Sequence, residues 1–208
     1  MKLTSLHNKA LHKQASTLVH TSNVYHNLWA PKLAELLVTL TASEGGLGFS
    51  PGSSPTASGA KVFFSNTGTE ANEGALKIAR KVGKDRWAAA TGGRADDPAC
   101  PKTRIVCFEN SFHGRSMGAL SVTSTEKYQA PFRPLIPDVD VGKFNDLEGL
   151  KSLVTDDTCA VIIEPVQGEG GVGTADEKWL RALRERCNET GAVLIYDEIQ
   201  VGVLHQHH

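Results

Sequence analysis

The fold of this chain is decided by the stretch Val62-Phe63-Phe64-Ser65-Asn66-Thr67-Gly68-Thr69-Glu70-Ala71-Asn72-Glu73. Its apolar start predicts a short β-strand. The short polar residues that follow suit a turn or a helix N-cap, because their side-chain oxygens accept hydrogen bonds from the first N–H groups of a helix. Apolar residues then recur at helical spacing from Ala71 to Val82, and Gly83 is the predicted C-cap. Since Gly68 allows a ligand to approach the backbone, the stretch predicts a helix N-terminus that can bind a phosphate.

This turn does not match the common nucleotide-binding motifs. A P-loop would end in Gly-Lys-Ser or Gly-Lys-Thr, and the glycine spacing of the dinucleotide fingerprint is also missing. An ordinary capped helix remains an alternative interpretation, because capping boxes are common. The phosphate-binding interpretation therefore depends on residues further along the chain.

Composition and charge indicate an ordinary globular protein. Of the 208 residues, 40% are hydrophobic and 22% are charged, and the formal net charge is −1. This charge gives no reason to expect nucleic acid or a membrane as a partner. No apolar run approaches the roughly 20 residues of a membrane-spanning helix. The four cysteines show neither a CxxC pair nor metal-ligand spacing. Cys107 and Cys159 lie in apolar runs and are predicted to be reduced core residues, which fits a reducing, intracellular compartment.

The first 45 residues are predicted to form an N-terminal helical segment. Residues 1–15 contain three lysines and no acidic residue, which fits either a weak mitochondrial targeting segment or a plain amphipathic helix to about Leu18. Pro31 suits the start of a second helix, over Lys32 to Thr41. Residues 44–60 are rich in Gly, Ser and Pro and are predicted to be a loop.

Three stretches predict buried β-strands, at residues 104–108, 159–163 and 192–196, and apart from Arg104 each is apolar throughout or nearly so. Helices are predicted between them, over Asp146 to Val154 and over Glu177 to Thr190, with Gly191 closing the second. Residues 87–102 are interpreted as a surface insertion. Apolar strands separated by helices are typical of an α/β fold with a mostly parallel sheet and helices on both faces.

Every predicted strand ends in polar residues and glycine, and ligands of open α/β sheets bind beyond such ends. The four ends are residues 65–69, 112–115, 167–171 and 197–200. Together they offer a phosphate seat, an aromatic ring, a guanidinium group and two separate carboxylates. This set suits pyridoxal phosphate and an anionic substrate. A carboxylate can partner the pyridinium nitrogen, an aromatic ring can stack on the ring face, and a helix N-terminus can hold the phosphate.

The same segments resemble those of a known family. They read Ser-Asn-Thr-Gly-Thr-Glu-Ala-Asn-Glu at 65–73, Phe-His-Gly-Arg at 112–115, Glu-Pro-Val-Gln-Gly-Glu-Gly-Gly at 164–171 and Asp-Glu-Ile-Gln at 197–200. They are similar to the motifs of class III aminotransferases of fold type I, most of all the acetylornithine group and then the ornithine group. The resemblance implies a pyridoxal-phosphate-binding large domain, in part, over residues 46–208. It also implies a homodimer with the active site at the interface.

The resemblance implies a role for each of eight residues. Six would bind the cofactor: Gly68, Thr69, Phe112, His113, Asp197 and Gln200. The backbone of Gly68 and Thr69 would hold the phosphate, Phe112 would stack on the pyridine ring with His113 beside it, Asp197 would bind the ring nitrogen and Gln200 the phenolic oxygen.

Two residues would bind substrate. Arg115 would pair with the α-carboxylate in the bidentate geometry that a guanidinium group supports. Glu169 would pair with a second, substrate-side arginine.

Structural interpretations of these residues remain open. Phe112 is equally compatible with a core aromatic residue, and His113 with a hydrogen-bonded structural histidine. Arg115 and Glu169 are of types that usually lie on the surface. Asp197 is the hardest to explain structurally, because a carboxylate directly after a buried strand needs a partner.

The chain departs from the family pattern after residue 200. The Schiff-base lysine of these enzymes lies well beyond the Asp-x-x-Gln motif, and no lysine follows Lys178 here. Residues 201–208 read Val-Gly-Val-Leu-His-Gln-His-His, where the family has a Gly-Arg-Thr-Gly type of turn. We therefore expect a chain truncated at both ends, without the carboxy-terminal small domain, without a catalytic residue of its own and without turnover as it stands.

The expected function is that of a transaminase using N-acetylornithine and 2-oxoglutarate, amino acid and 2-oxo acid substrates, in arginine biosynthesis. The choice of N-acetylornithine rests on the resemblance. A non-catalytic fragment that binds pyridoxal phosphate or pairs with a full-length subunit is the alternative. A weaker alternative interpretation is that residues 205–208 form a metal-binding tail, although no metal site is predicted. The expected location is the mitochondrial matrix, with the cytoplasm as the alternative.

Overall fold

The computed structural model describes residues 4–22, 24–45, 50–55 and 59–201. The chain divides into two compact units, Met1–Phe64 and Ser65–His208. None of the helices in the described ranges is long and apolar enough to cross a membrane. The division at residue 45, between a helical segment and a cofactor-binding domain, stays a prediction.

The first unit contains two helices. Helix α1 spans Ser5–Ala15 and is capped by Thr4, whose side chain accepts a hydrogen bond from the N–H of His7. It has no buried residue and ends earlier than the predicted Leu18. Helix α2 spans Ala30–Glu44, with Pro31 in its first turn as predicted.

The predicted strand over Val62 to Phe64 is wrong, because no strand forms there and Phe63 is 70% exposed. An apolar run becomes a strand only where a neighbouring strand accepts its backbone hydrogen bonds. None of the sheets in the described part of the chain pairs with these residues. The stretch that begins at Val62 is therefore a turn and a helix without a strand before them.

The second unit is built on a four-stranded parallel sheet. Its strands are β1 (Arg104–Phe108), β2 (Val139–Gly142), β3 (Thr158–Ile163) and β6 (Val193–Tyr196), in the order β2-β1-β3-β6. The three predicted strands are confirmed, although β6, at the edge of the sheet, is only partly buried. Strand β2 was missed because it is short and partly exposed. A separate antiparallel hairpin joins β4 (Val166–Gln167) to β5 (Gly173–Thr174).

Helices cover both faces of this sheet, as predicted. On one face, Val106, Phe108, Val161 and Ile163 pack with residues of the loop-helix region 144–154 and with Trp179, Leu183 and Cys187. On the other face, Ile105, Cys107, Ala160 and Ile162 pack with Leu76 and Ala79. All four cysteines are free and buried, and the prediction that Cys107 and Cys159 are core residues is confirmed.

Helix α3 spans Gly68–Thr91 and is longer than the pattern predicts. Gly83, the predicted C-cap, lies inside the helix, where an added Cβ would come 3.1 Å from the Cβ of Cys159. A glycine in this position lets the helix pack closely against β3. The observed C-cap is Gly92, in the left-handed conformation, so residues 87–91 belong to the helix and not to a surface insertion.

The helices that follow α3 in the described part of the second unit are short, apart from the last, which has 14 residues. Helices α4 (Met117–Ser121) and α5 (Glu126–Gln129) follow β1, and a 3₁₀ turn spans Ala130–Phe132. Helix α6 occupies Leu150–Leu153, a small part of the predicted range from Asp146 to Val154. Helix α7 (Glu177–Thr190) has the predicted bounds, with Asp176 as N-cap and Gly191 as left-handed C-cap.

Candidate active site

The carboxyl edge of the parallel sheet carries the sequence motifs of the second unit. The loops after β1, β3 and β6 leave the sheet at this one edge because the strands are parallel. These loops contain residues 109–116, 164–172 and 197–201.

Two glycines bring these loops onto the first turn of α3. A Cβ on Gly68 would lie 2.7 Å from the Cδ1 atom of Ile199, and a Cβ on Gly114 would overlap the side chain of Thr69. Gly114 also has a φ of +133°, which other residues rarely adopt. Three of the four sequence motifs therefore meet at the N-terminus of α3.

Asp197 lies at the centre of this cluster, directly after β6. Its backbone N–H donates to the carbonyl of Ile163, which extends the pairing of β6 with β3 by one residue. Its side chain is 4% exposed. Oδ2 accepts from Asn72 Nδ2 and from His113 Nδ1, both at 2.8 Å, and Oδ1 accepts from the N–H of Ile199 at 3.1 Å.

These donors decide the charge of Asp197. Burial alone acts to raise the pKa of the carboxyl group. The hydrogen bonds from His113, Asn72 and the N–H of Ile199 outweigh burial and keep the pKa below its ordinary value. A carboxylate has about four lone-pair directions, and three are used here, so one acceptor direction remains on Oδ1.

His113 is buried against Asp197. Because a carboxylate only accepts, Nδ1 must carry the proton of their hydrogen bond. The backbone of His113 is also fixed, since its N–H donates to Thr123 Oγ1 and its carbonyl accepts from Asn72 Nδ2. Its Nε2 atom is buried and has no hydrogen-bond partner among the described residues.

Glu164 is a second buried carboxyl group beside Asp197. Ile163 pairs with Tyr196 in the sheet, so the acids that follow them occupy adjacent positions. Glu164 is 4% exposed, and its Oε2 atom accepts one hydrogen bond, from the N–H of Phe112 at 2.9 Å. Burial raises the pKa of Glu164, and the hydrogen bond from Phe112 is not enough to offset it.

The N-terminus of α3 has the form that the sequence predicts. Thr67 is the N-cap, and its hydroxyl accepts from the N–H of Glu70 at 3.3 Å. The Glu70 side chain accepts a hydrogen bond from the N–H of Asn66 at 2.8 Å, one residue before the N-cap N–H that a capping box uses. The first intrahelical hydrogen bond runs from the N–H of Ala71 to the carbonyl of Thr67, so the N–H groups of Gly68 and Thr69 precede the helical ladder.

Glu73 connects α3 to the start of α4. Its Oε1 atom accepts from Ser116 Oγ at 2.6 Å and from the N–H groups of Gly118 and Ala119 at 2.7 and 3.1 Å. Although burial acts to raise the pKa of Glu73, these hydrogen bonds keep it below its ordinary value. Thr69 and Ser116 are joined as well, with 2.8 Å between their hydroxyl oxygens.

The third group of candidate side chains surrounds Tyr128 in α5. The rings of Phe112 and Tyr128 meet edge to face, with centroids 6.0 Å apart. Arg115 places its guanidinium carbon 4.2 Å from the centroid of the Tyr128 ring. The Tyr128 hydroxyl donates to Glu169 Oε1 at 2.8 Å. Arg115 and Glu169 are both exposed, and Tyr128 is half-buried.

Of the eight residues singled out in the sequence, seven take part in these three groups. Gln200 is exposed and forms no hydrogen bond within the described part of the chain. Residues 205–208 lie outside the described residues. In the ranges that are described, no group of three or more His, Cys, Asp or Glu side chains forms a metal site.

Sequence reasoning assigned no role to Asn72, Glu73, Ser116, Glu164 or Tyr128. One signal pointed to Asn72, because it shares the spacing of Leu76 and Ala79 and is therefore a polar residue on the buried face of α3. The partners of the other residues lie far away in the sequence.

Comparison with known proteins places the chain among transaminases. The family model "Aminotransferase class-III" matches residues 7–205. The mitochondrial acetylornithine aminotransferase of Yarrowia lipolytica is 52% identical over 196 residues, which is 94% of this chain and 42% of that protein. The corresponding enzyme of Neurospora crassa is 49% identical over 195 residues, 94% of this chain and 38% of that protein. The chain thus spans about two fifths of the length of these relatives.

Solved structures agree with this placement. N-acetylornithine aminotransferase from Stenotrophomonas maltophilia superposes with a TM-score of 0.63 and 35% identity, over 94% of this chain and 41% of that one. An amine transaminase from an uncultivated Pseudomonas species, in its PLP-bound form, gives 0.73 and 26% identity over 94% and 44%. The parallel sheet, the loop cluster at its carboxyl edge and the matched residues agree, and the chain belongs to the class III aminotransferase family.

Proposed function

We propose that this chain provides the cofactor-binding part of a pyridoxal-phosphate-dependent aminotransferase that transfers the δ-amino group of N-acetylornithine to 2-oxoglutarate, in arginine biosynthesis. The observation that carries the proposal is Asp197, a buried carboxylate whose surroundings hold it as an anion while one acceptor direction stays open. A pyridinium N–H is a donor that such an anion would accept. The names of the fungal relatives support N-acetylornithine as the substrate.

The residues present fit the cofactor at each of its polar ends. The first N–H groups of α3, at Gly68 and Thr69, would bind the phosphate, aided by the positive end of a 24-residue helix. Asp197 would bind the ring nitrogen and keep it protonated. Phe112, half-buried beside Glu164, would contact the ring face, and Gln200 would contact the phenolic oxygen.

Each protein group has a defined task in this proposal. Pyridoxal phosphate, when bound, supplies an electron sink for the carbon that loses its amino group. His113 and Asn72 orient Asp197 and hold its charge. Arg115 would bind the α-carboxylate of the substrate, and Glu169 would pair with a second arginine. Among the described residues, we assign none as the catalytic lysine.

The names of the same relatives support a location, and the family resemblance implies an assembly. Both fungal relatives are named mitochondrial, which supports the mitochondrial matrix as the location. We also propose a homodimer, as the family resemblance implies.

The test uses the full-length protein that carries this sequence, loaded with ¹⁵N-labelled pyridoxal phosphate. The ¹⁵N chemical shift of the ring nitrogen is expected to report a protonated ring in the wild type and an unprotonated ring in Asp197→Asn. Transamination of N-acetylornithine should then fall at least about 100-fold, because charge stabilisation in an active site is worth several kcal/mol. Asp140→Asn, in a half-exposed ion pair with Arg104, is the matched control and should change neither measurement.

Two results would contradict the proposal. An unprotonated ring nitrogen in the wild type would contradict the proposal that Asp197 keeps this nitrogen protonated. A higher kcat/KM for ornithine than for N-acetylornithine would overturn the substrate assignment while leaving the cofactor assignment intact.

A further inference from the structure

We infer that Tyr128 is a positioning residue that keeps Arg115 available for the substrate carboxylate, by holding Arg115 and Glu169 at different parts of one side chain. The inference rests on the proposed function, because it concerns how the substrate-binding arginine is presented. Tyr128 lies in α5, outside the sequence motifs from which the site was predicted.

Tyr128 connects two loops at the carboxyl edge of the sheet. Its ring face attracts Arg115 of the loop after β1, with 4.2 Å between the guanidinium carbon and the ring centroid. Its hydroxyl donates to Glu169 of the loop after β3, at 2.8 Å. Its ring also packs against Phe112 at an interplanar angle of 80°.

Arg115 and Glu169 need to be kept apart if Arg115 is to bind substrate. They are exposed and opposite in charge, and both contact the same tyrosine. A guanidinium group and a carboxylate that meet freely form a bidentate ion pair, and this pair would occupy the N–H groups that the substrate requires. Within the described ranges, Arg115 forms no ion pair and no hydrogen bond.

The two contacts of Tyr128 prevent this pairing by different means. A cation above an aromatic ring is attracted by the electron density of the ring face, so the contact does not use its N–H donors. The hydroxyl, in contrast, satisfies Glu169 directly. Because donation to a carboxylate increases the electron density of the ring, the Glu169 contact also strengthens the attraction for Arg115.

A second cation also lies near the Tyr128 ring. Lys127 Nζ lies 4.8 Å from the same centroid, farther than Arg115. Suppose that Lys127, and not Arg115, were the cation that the ring positions for the substrate carboxylate. Removing Lys127 would then weaken carboxylate binding, whereas removing the Tyr128 hydroxyl would not. Lys127→Gln therefore accompanies the tyrosine variants.

The experiment measures carboxylate binding without turnover, in the full-length protein with pyridoxal phosphate bound. The probes are N-acetyl-L-norvaline, which is N-acetylornithine without its reactive δ-amino group, and N-butylacetamide, which also lacks the carboxylate. Calorimetric titration gives the ratio of their Kd values, here called the carboxylate preference. Tyr196→Phe, which removes a hydroxyl from the last residue of β6, is the control.

Tyr128→Phe is expected to lower the carboxylate preference about fivefold and Tyr128→Leu more, since the ring contact is lost as well. The double variant Tyr128→Phe/Glu169→Gln should recover most of the preference, because the competing carboxylate is gone. A purely structural role of the hydroxyl would give no such recovery. Tyr196→Phe and Lys127→Gln should leave the preference unchanged.

The outcomes separate this inference from the proposed function. If the wild type shows no carboxylate preference, or keeps it in Arg115→Gln, the substrate role of Arg115 fails. If the preference exists and depends on Arg115 but is unchanged in Tyr128→Phe, the inference about Tyr128 is wrong. Should Tyr128 variants fail to fold, wild-type NMR decides: an upfield ring-current shift of the Arg115 Hδ and Hε resonances is expected, and its absence would overturn the inference.

Discussion

Glu164 and Asp197 are two buried carboxyl groups at the ends of neighbouring strands, and their pKa values shift in opposite directions. Glu164 is 4% exposed and Asp197 is 6% exposed, so depth does not distinguish them. Asp197 accepts three hydrogen bonds, whereas Glu164 accepts one. The donors that the fold supplies to Asp197, together with the repulsion that Asp197 exerts on Glu164, therefore decide which of the two buried carboxyl groups is held as an anion.

The origin of those donors explains why the two residues differ. Asp197 receives a side-chain N–H from α3, another from the loop after β1 and a backbone N–H from its own loop. Glu164 receives only the backbone N–H of Phe112. In the proposed function, Asp197 is the carboxylate that binds the cationic ring. Glu164, whose carboxyl group gains a proton more easily, lies beside it.

The largest effect is expected from removing the carboxylate with many donors. Asp197→Ala leaves the donors of Asn72 and His113 buried and unpaired, which should lower the free energy of unfolding by about 4 kcal/mol at pH 7. Urea unfolding followed by the fluorescence of Trp179, buried in the same unit, measures this change. The control is Asp140→Ala in its half-exposed ion pair with Arg104, which should cost less than about 1 kcal/mol. Equal losses in the two variants would contradict the special position of Asp197.

A smaller effect is expected from removing one donor of Asp197. Asn72→Ala should cost about 2 kcal/mol at pH 7, because Asn72 Nδ2 bonds both Asp197 and the carbonyl of His113. The pKa of Asp197 is depressed in the folded state. Its contribution is therefore present above the unfolded pKa of about 4 and is lost as the pH falls through the folded pKa.

With one donor fewer, the folded pKa of Asp197 moves upward and lies closer to the unfolded value. The stability lost in acid, between the unfolded and the folded pKa, should therefore be smaller in Asn72→Ala than in the wild type. Unfolding free energies between pH 7 and pH 2 measure this loss. Asn145→Ala removes an exposed asparagine that bonds Thr174 and Asp176, and it should leave the acid loss unchanged. An unchanged acid loss in Asn72→Ala would show that Asn72 does not set the charge of Asp197.

The sequence predicted the strands around this pair of acids well, because their signals are local. The apolar runs at residues 105–108, 159–163 and 192–196 each contribute most of a strand of the parallel sheet. Helix α7 was equally predictable, since Asp176 and Gly191 mark its two ends. The position of Asp197 at a strand end followed directly from these runs.

Errors arose where distant residues decide the local structure. Val62 to Phe64 has the composition of a strand but no neighbouring strand to pair with in the described sheets. Gly83 has the residue type of a cap, yet its lack of a side chain serves close packing against Cys159. The same reason hid the donors of Asp197, because Asn72 lies 125 residues away in the sequence.

The smallest effect, and the one that separates the two acids most directly, concerns Glu164. Its pKa is raised in the folded state, so its favourable contribution is complete below the unfolded pKa of about 4.3 and is lost as the pH rises through the folded pKa. Glu164→Gln keeps an oxygen that can accept from Phe112 and cannot ionise. The variant should therefore gain about 1 kcal/mol relative to the wild type between pH 4 and pH 8.

The measurement for Glu164 is the difference in unfolding free energy between variant and wild type at several pH values, with the exposed Glu148→Gln as control. A difference that grows with pH for Glu164, while that for Glu148 stays constant, would support the comparison. A constant difference at Glu164 would mean that its proton affinity is the same in both states. Burial with a single donor would then not raise a carboxyl pKa in this site, and the contrast with Asp197 would need another cause.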